Sequence, residues 1–217
     1  MTDCAPFTWT VVIPVKVLAH AKSRLAVLAG PRRAELALAL ACDTVSAVLA
    51  VPIVARVVVV TADSVVRREL SELGAVVVQD TTTSLNDALH LGASGISSGV
   101  AGLTADLPAL RPGELARALG RIRRGAAFVP DADDTGTTLY AAPPGTPFRP
   151  MYGGRSRDRH ARNGAAELRL DDVPGLRRDV DTPENLLAAV ALGVGPRTAP
   201  VAADLLRYAR PDRSASA

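Results

Sequence analysis

Three groups of residues have the types and spacings that chemistry on a phosphorylated substrate needs. Lys16, Lys22, Ser23 and Arg24 follow the apolar run WTVVIPV. Three cations and a hydroxyl at such a place make a polyphosphate cradle, because each cation offsets phosphate charge and an arginine can engage two oxygens. Asp106, in LTADLPAL, comes directly after another apolar run, where a carboxylate is well placed to hold a divalent cation. Asp179 and Asp181, in RRDVDTP, alternate along what reads as a strand, which turns both carboxylates to one face. Like charges that close are unfavourable unless a cation offsets them, so one or both are expected to share Mg²⁺ with Asp106. Each group alone has a plainer reading as a solvated basic loop, a capped turn or a helix-terminal charge. Acids and cations together at strand ends favour a site.

A second tier of residues surrounds these. Asn86 and Asp87 offer the amide and carboxylate groups that read a purine edge, with helix capping as the equal alternative. Thr137 opens a TGTT strand start. Gly153, Gly154 and Ser156, flanked by Arg155, Arg157 and Arg159, form a turn suited to a small phosphate or carboxylate, or else a plain surface loop. His160 reads as a hydrogen-bonding partner rather than a base. Neither the P-loop nor the GxGxxG fingerprint occurs.

The elements that must position these residues alternate regularly. Residues 9–15 and the β-branched run 56–62 read as buried strands, with a polar loop KVLAHAKSRL and a long helix opened by Pro31 between them. A helix ending at Gly74, the strand AVVVQ, a helix capped by Ser84 and the strand VAGLTA follow. Pro112 and Glu114 begin another helix before the strand AAFVP. Periodicity then lapses from 131 to 165, a loop region of the kind that builds a site or a lid. GLRRDVDTPENLLAAVALG reads as a short strand running into a helix, with Thr182 as N-cap, Pro183 first and Gly193 as the stop. Its capping box is expected to be incomplete, because Asn185 stands where Glu or Gln belongs. Beyond Gly195 a weak helix, VAADLLRYA, leads to PDRSASA. The expectation is one three-layer α/β domain over 1–217 with a mostly parallel mixed sheet, its core at about 9–196 and a tail at about 197–217.

Composition narrows the function classes. The chain has 217 residues, 48% hydrophobic and 22% charged, enough for a real core and too apolar for a disordered chain. Two cysteines, Cys4 and Cys42, exclude a disulfide scaffold and a four-cysteine zinc site. No apolar run reaches transmembrane length and the start lacks a basic leader, so a cytoplasmic protein without membrane contact is expected. The net charge of +3 is spread among 22 acids with no aromatic–basic alternation, which argues against nucleic acid and for a small anionic substrate. Of 25 basic residues only Lys16 and Lys22 are lysines, and they lie in one short segment.

PVKxLxxAKSRL, DLPAL, GGRSRDRH and DVDTPENL together resemble the CofC/FbiD family, over about residues 9–196. These are guanylyltransferases acting on phosphoenolpyruvate or 2-phospho-L-lactate in the biosynthesis of the deazaflavin coenzyme F-420. The glycine-rich first loop of the wider nucleotidyltransferase superfamily is absent, and the PVK segment stands in its place. The resemblance implies a nucleotide-diphospho-sugar transferase (GT-A-like) fold, GTP as co-substrate, Mg²⁺ as metal and pyrophosphate as by-product. It makes Asp106, Asp179 and Asp181 metal ligands, with Asp106 also catalytic. It makes Thr137, Gly153 and Ser156 the binders of the three-carbon phosphoacid. Lys16, Lys22, Ser23, Arg24 and Asn86 become nucleotide contacts, with Lys16, Lys22 and Arg24 also catalytic. The arginine-for-lysine skew marks a GC-rich bacterial source, and the bacterial branch resembles phosphoenolpyruvate-specific enzymes, so that acceptor is preferred over 2-phospho-L-lactate. A labile diphosphate product makes transient handover to the downstream deazaflavin transferase an expectation. The rivals are a molybdopterin or sugar-1-phosphate nucleotidyltransferase, a metal-dependent GT-A glycosyltransferase using the DVD, and a non-enzymatic anion-binding module.

Overall fold

The computed structural model describes residues 7–208; Cys4 and the PDRSASA end lie outside that range. The chain opens with β1 (Trp9–Pro14), whose Val11 and Ile13 face one helical layer and whose Val12 faces the other. Two 3-10 turns, Leu18–His20 and Ser23–Leu25, lead through α1 (Ala26–Ala29) and a turn at Gly30–Arg32 into α2 (Arg33–Leu49). Helix α2 is buried on two sides: Ala37, Ala41, Val45 and Val48 pack on the sheet, and Leu36, Ala39 and Leu40 face the C-terminal helices. Its apolar pattern therefore runs most of the way round. Leu36 and Leu40 are fully buried, and cutting either to alanine costs about 2–5 kcal/mol.

The next elements are β2 (Val54–Thr61), α3 (Ser64–Glu72), β3 (Val76–Gln79), α4 (Leu85–Gly92), β4 (Gly99–Leu103), α5 (Pro112–Arg121) and β5 (Ala127–Pro130). They are followed by β6 (Thr137–Ala142), α6 (Ser156–Arg162), β7 (Ala166–Glu167), α7 (Pro174–Arg177), α8 (Pro183–Leu192) and α9 (Thr198–Tyr208). The seven strands are ordered β3-β2-β1-β4-β6-β5-β7. All run parallel except β6, which pairs antiparallel with both β4 and β5. Helices cover both faces, giving the expected three-layer mixed α/β domain. Among the described residues no helix is long and apolar enough to cross a membrane.

Chain order reverses between β1 and β4, because β1 connects outward to β2 whereas β4 leads toward the opposite edge. Crevices of this kind open at the carboxyl ends of the strands in such sheets. The segments after β1 and β4 carry Lys16–Arg24 and Asp106, so topology alone brings the basic loop to the first aspartate.

Four expectations need correction. The region after Pro130 is not a plain loop: it contains β6, which sits inside the sheet, and α6. Every residue of β6 is buried, and a strand covered on both faces shows no alternation to read. The DVD segment is not a strand either. Residues 174–177 form the single turn α7, and 178–180 belong to no helix or strand. The α8 box is complete: Asn185 N donates to Thr182 Oγ1 at 3.2 Å while Asn185 Oδ1 accepts from Thr182 N at 3.1 Å. A shorter amide closes the loop that a glutamate usually closes. Finally, α9 belongs to the packed body, with Val201, Ala202 and Leu205 buried against α2 and α8 residues.

Candidate active site

A cavity of about 580 Å³ lies at the carboxyl ends of β1 and β4. It is lined by Lys16, Lys22, Ser23 and Arg24 from the first loop, by Asp106, and by Asp179 and Asp181. Thr137, Gly153, Gly154 and Ser156 line its other side. The predicted site residues thus converge on one cavity, with one exception. Asn86 is not in the lining: its amide accepts from Tyr152 N at 2.8 Å and donates to Tyr152 O at 3.1 Å. Both ends of the amide hold the backbone ahead of Gly153.

Local structure explains each placement. Asp63 caps α3 by accepting from Val65 N and Val66 N, and its other oxygen accepts from Leu18 N at 2.9 Å, tying the basic loop to the sheet. Burial opposes its ionisation, but these three backbone donors outweigh it and hold Asp63 below the ordinary carboxylate range. Lys22 adopts the left-handed conformation at φ 55°, uncommon for a residue with a side chain, and this turns its ammonium into the cavity. Leu107 N donates to Thr44 Oγ1 at 2.9 Å and Val180 N donates to Asp106 O at 3.1 Å. The latter bond docks the DVD segment beside the DLP turn and replaces the strand pairing expected there.

Lys22 Nζ bridges the two acidic segments, donating to Asp106 Oδ2 and, at 2.8 Å, to Asp181 Oδ1. Burial works against its charge, but Asp106 and then Asp181 outweigh burial and hold Lys22 above the usual lysine value. Burial likewise opposes ionisation of Asp181, and Lys22, helped by Arg24 and Lys16, overcomes it to keep that carboxyl low. Asp179 moves the other way, to about 7, through burial first and then repulsion from Asp106, Asp181 and Asp131.

The acids fit a hard divalent cation. Among the described residues no three acidic, histidine or cysteine side chains converge tightly enough to chelate an ion as they stand, since the Lys22 ammonium lies between Asp106 and Asp181. Asp106 Oδ1, however, is buried with no hydrogen-bond partner. An orphaned carboxylate oxygen beside a carboxyl raised by burial and then by its acidic neighbours is an all-oxygen donor set in need of positive charge.

On the opposite wall, Gly153 has φ +98°, a conformation that strains any other residue. Gly136 abuts the Asp131 carboxylate closely enough that a Cβ would collide with it. The arginines around Ser156 are engaged elsewhere than expected. Arg157 pairs with Glu167 at 2.9 Å and faces away from the cavity, and Arg159 donates to the carbonyls of Tyr152 and Gly153. Only Arg155, paired with Asp158, remains in the lining. His160 is fully buried, between Thr137 Oγ1 at 2.9 Å from Nδ1 and Met151 N at 2.8 Å from Nε2. Burial, and then Arg159, push it down to about 4.

Sequence reasoning missed Asp131, which lines the cavity and accepts from Thr135 N at 2.9 Å and Gly136 N at 2.7 Å. Its signal was available: a carboxylate at a strand end, followed by the tight turn DADDTG. It also missed Thr104, whose buried hydroxyl has no partner beside Asp106. Cys42 is buried, its thiol pushed up to about 11 by burial first, and is chemically inert.

Residues 9–207 match the family model described as "Guanylyl transferase CofC like". The chain belongs to that family. A relative from Streptosporangium roseum, named phosphoenolpyruvate guanylyltransferase, is 54% identical over 196 residues, covering 88% of each chain. One of the same name from Streptomyces coelicolor is 54% identical over 206 residues, covering 91% of this chain and 97% of the relative. Among solved structures, a protein from Desulfovibrio desulfuricans G20 named for the nucleotide-diphospho-sugar transferases superposes with a TM-score of 0.67 at 18% identity, over 92% of this chain and 94% of the other. That likeness concerns the fold. For this family member, the cavity described above spans the two ends of the matched region, from the PVK loop to the DVD.

Proposed function

We propose that the protein transfers a guanylyl group from GTP to phosphoenolpyruvate, releasing pyrophosphate and forming enolpyruvoyl-2-diphospho-5'-guanosine for the coenzyme F-420 route. The observation that carries this reading is the division of one cavity into a cationic loop, a carboxylate cluster and a glycine- and hydroxyl-lined wall. Relatives at 54% identity bear the corresponding name.

A phosphate oxygen of the acceptor attacks the α-phosphorus of GTP, and the bond to the β-phosphate oxygen breaks as pyrophosphate leaves. The nucleophile arrives already ionised, so the protein needs neither a covalent intermediate nor a strong base; its tasks are to align two anions and balance charge. Lys16, Lys22 and Arg24, with Ser23, hold the triphosphate and stabilise the departing pyrophosphate. Thr137, Gly153 and Ser156 orient the three-carbon phosphoacid against it. Asp106, Asp179 and Asp181 would hold Mg²⁺, which supplies charge neutralisation across the reacting phosphates. Asn86 acts from outside the cavity by holding the loop that ends in Gly153.

The test is pyrophosphate release from GTP with Mg²⁺, comparing phosphoenolpyruvate, 2-phospho-L-lactate and no acceptor, with the downstream transferase and its deazaflavin present to trap the labile product. Release confined to phosphoenolpyruvate is expected. A preference for phospholactate would replace the acceptor, and silence with every acceptor would overturn the reaction.

A further inference from the structure

We infer that His160 is a positioning residue that sets the direction in which the Thr137 hydroxyl donates, and so makes that hydroxyl a donor to the bound anion. The inference rests on the reading of Thr137 as an acceptor contact.

Met151 N–H can only donate, and its partner at 2.8 Å is His160 Nε2. That nitrogen must therefore be unprotonated, which places the proton of a neutral ring on Nδ1. Nδ1 faces Thr137 Oγ1 at 2.9 Å, so the ring donates and the hydroxyl accepts. Thr137 must then direct its own proton elsewhere. Its side chain lines the cavity, and there a phosphate or carboxylate oxygen is the natural recipient. The opposite tautomer would reverse this: Thr137 would donate into the ring and turn only lone pairs toward an anion, which is repulsive.

The surroundings hold the ring in this state. Tyr140 stacks on it at 4.6 Å between centroids, and Phe128 at 5.5 Å and Tyr152 at 5.4 Å enclose it. Its complete burial keeps out solvent that would scramble the tautomer. The same ring thus joins the two halves of the acceptor wall, Thr137 on β6 and the Met151–Gly154 segment, without touching the substrate.

Two measurements decide the matter. Nitrogen-15 NMR of the histidine-labelled protein, which has three histidines, is expected to show His160 as the Nδ1–H tautomer; the Nε2–H form would overturn the inference whatever the variants do. His160→Gln removes the donor to Thr137, and in pyrophosphate-release kinetics it is expected to raise the acceptor KM roughly 10- to 100-fold with little change in the GTP KM. Thr137→Val should show a similar rise, and the double variant should be no worse than Thr137→Val alone, since one interaction is being removed twice. Additive losses, or equal shifts in both KM values, would reduce His160 to a packing residue. Wild-type turnover with the acceptor, recorded first in the same assay, separates failure of the functional reading from failure of this one, and the tautomer is read without any variant needing to fold.

Discussion

Lys22 Nζ sits 2.8 Å from Asp181 Oδ1 and bonds Asp106 at the same time. One ammonium, presented by a left-handed residue, thereby balances two carboxylates that reach the cavity from distant parts of the chain. In the nucleotidyl-transfer reading, Lys22 holds the acidic half of the site together in the absence of substrate, and a metal on the carboxylates would leave its ammonium for the phosphates. Lys22→Met should lower turnover about a hundredfold or more. Because the variant frees the carboxylates, it should also bind Mg²⁺ alone, without nucleotide, about tenfold more tightly than the wild type. Isothermal titration with the metal reads the second effect independently of activity, and unchanged or weaker binding would refute the counter-charge role.

Asp106→Asn keeps the size of the side chain and removes its charge. The turn around it is held by bonds that do not use its carboxylate, from Leu107 N to Thr44 Oγ1 and from Val180 N to Asp106 O, so folding is expected to survive. Turnover should fall by about a thousandfold. Circular dichroism and pyrophosphate release, run on one preparation, separate the two; a variant with near-normal rate would remove the metal role.

Asn86→Ala deletes both hydrogen bonds to Tyr152 and leaves the Tyr152 N–H unpaired, while the Tyr152 carbonyl keeps Arg159 as a donor. The expected loss of stability is about 1–3 kcal/mol. A rise in acceptor KM should exceed any rise in GTP KM, since the loop it holds leads to Gly153. A selective rise in the GTP KM would restore Asn86 to the nucleotide.

His160 also makes a prediction for pH. Burial lowers its value from 6.5 to about 4, so between those values the unfolded chain binds a proton that the folded chain refuses. The resulting stability is fully present above about pH 6.5 and drains away as pH falls toward 4, by about 3 kcal/mol across the window. Chemical denaturation at pH 7 and pH 4.5 should show the wild type losing more than His160→Gln. Parallel losses in the two proteins would mean that the ring titrates normally.

Much of this molecule was legible before folding because its signals are local. The β-branched apolar run VVVV at 57–60 reads as a strand covered on both faces, and Ser84, Pro112 and Thr182 mark helix starts by their own hydrogen-bonding and backbone geometry. Repeated alternation of these elements dictates a mostly parallel sheet, and strand ends then nominate Lys16–Arg24 and Asp106, whereas the DVD is marked by its paired carboxylates alone. What only tertiary structure decided depends on contacts between distant residues. The insertion of β6 between β4 and β5, the docking of Val180 on Asp106, the capture of Asn86 by Tyr152 and the orientation of Thr137 by His160 all have this character. Side-chain type says what a group can donate or accept. Which partner claims it is settled only when the sheet brings the candidates within hydrogen-bonding distance.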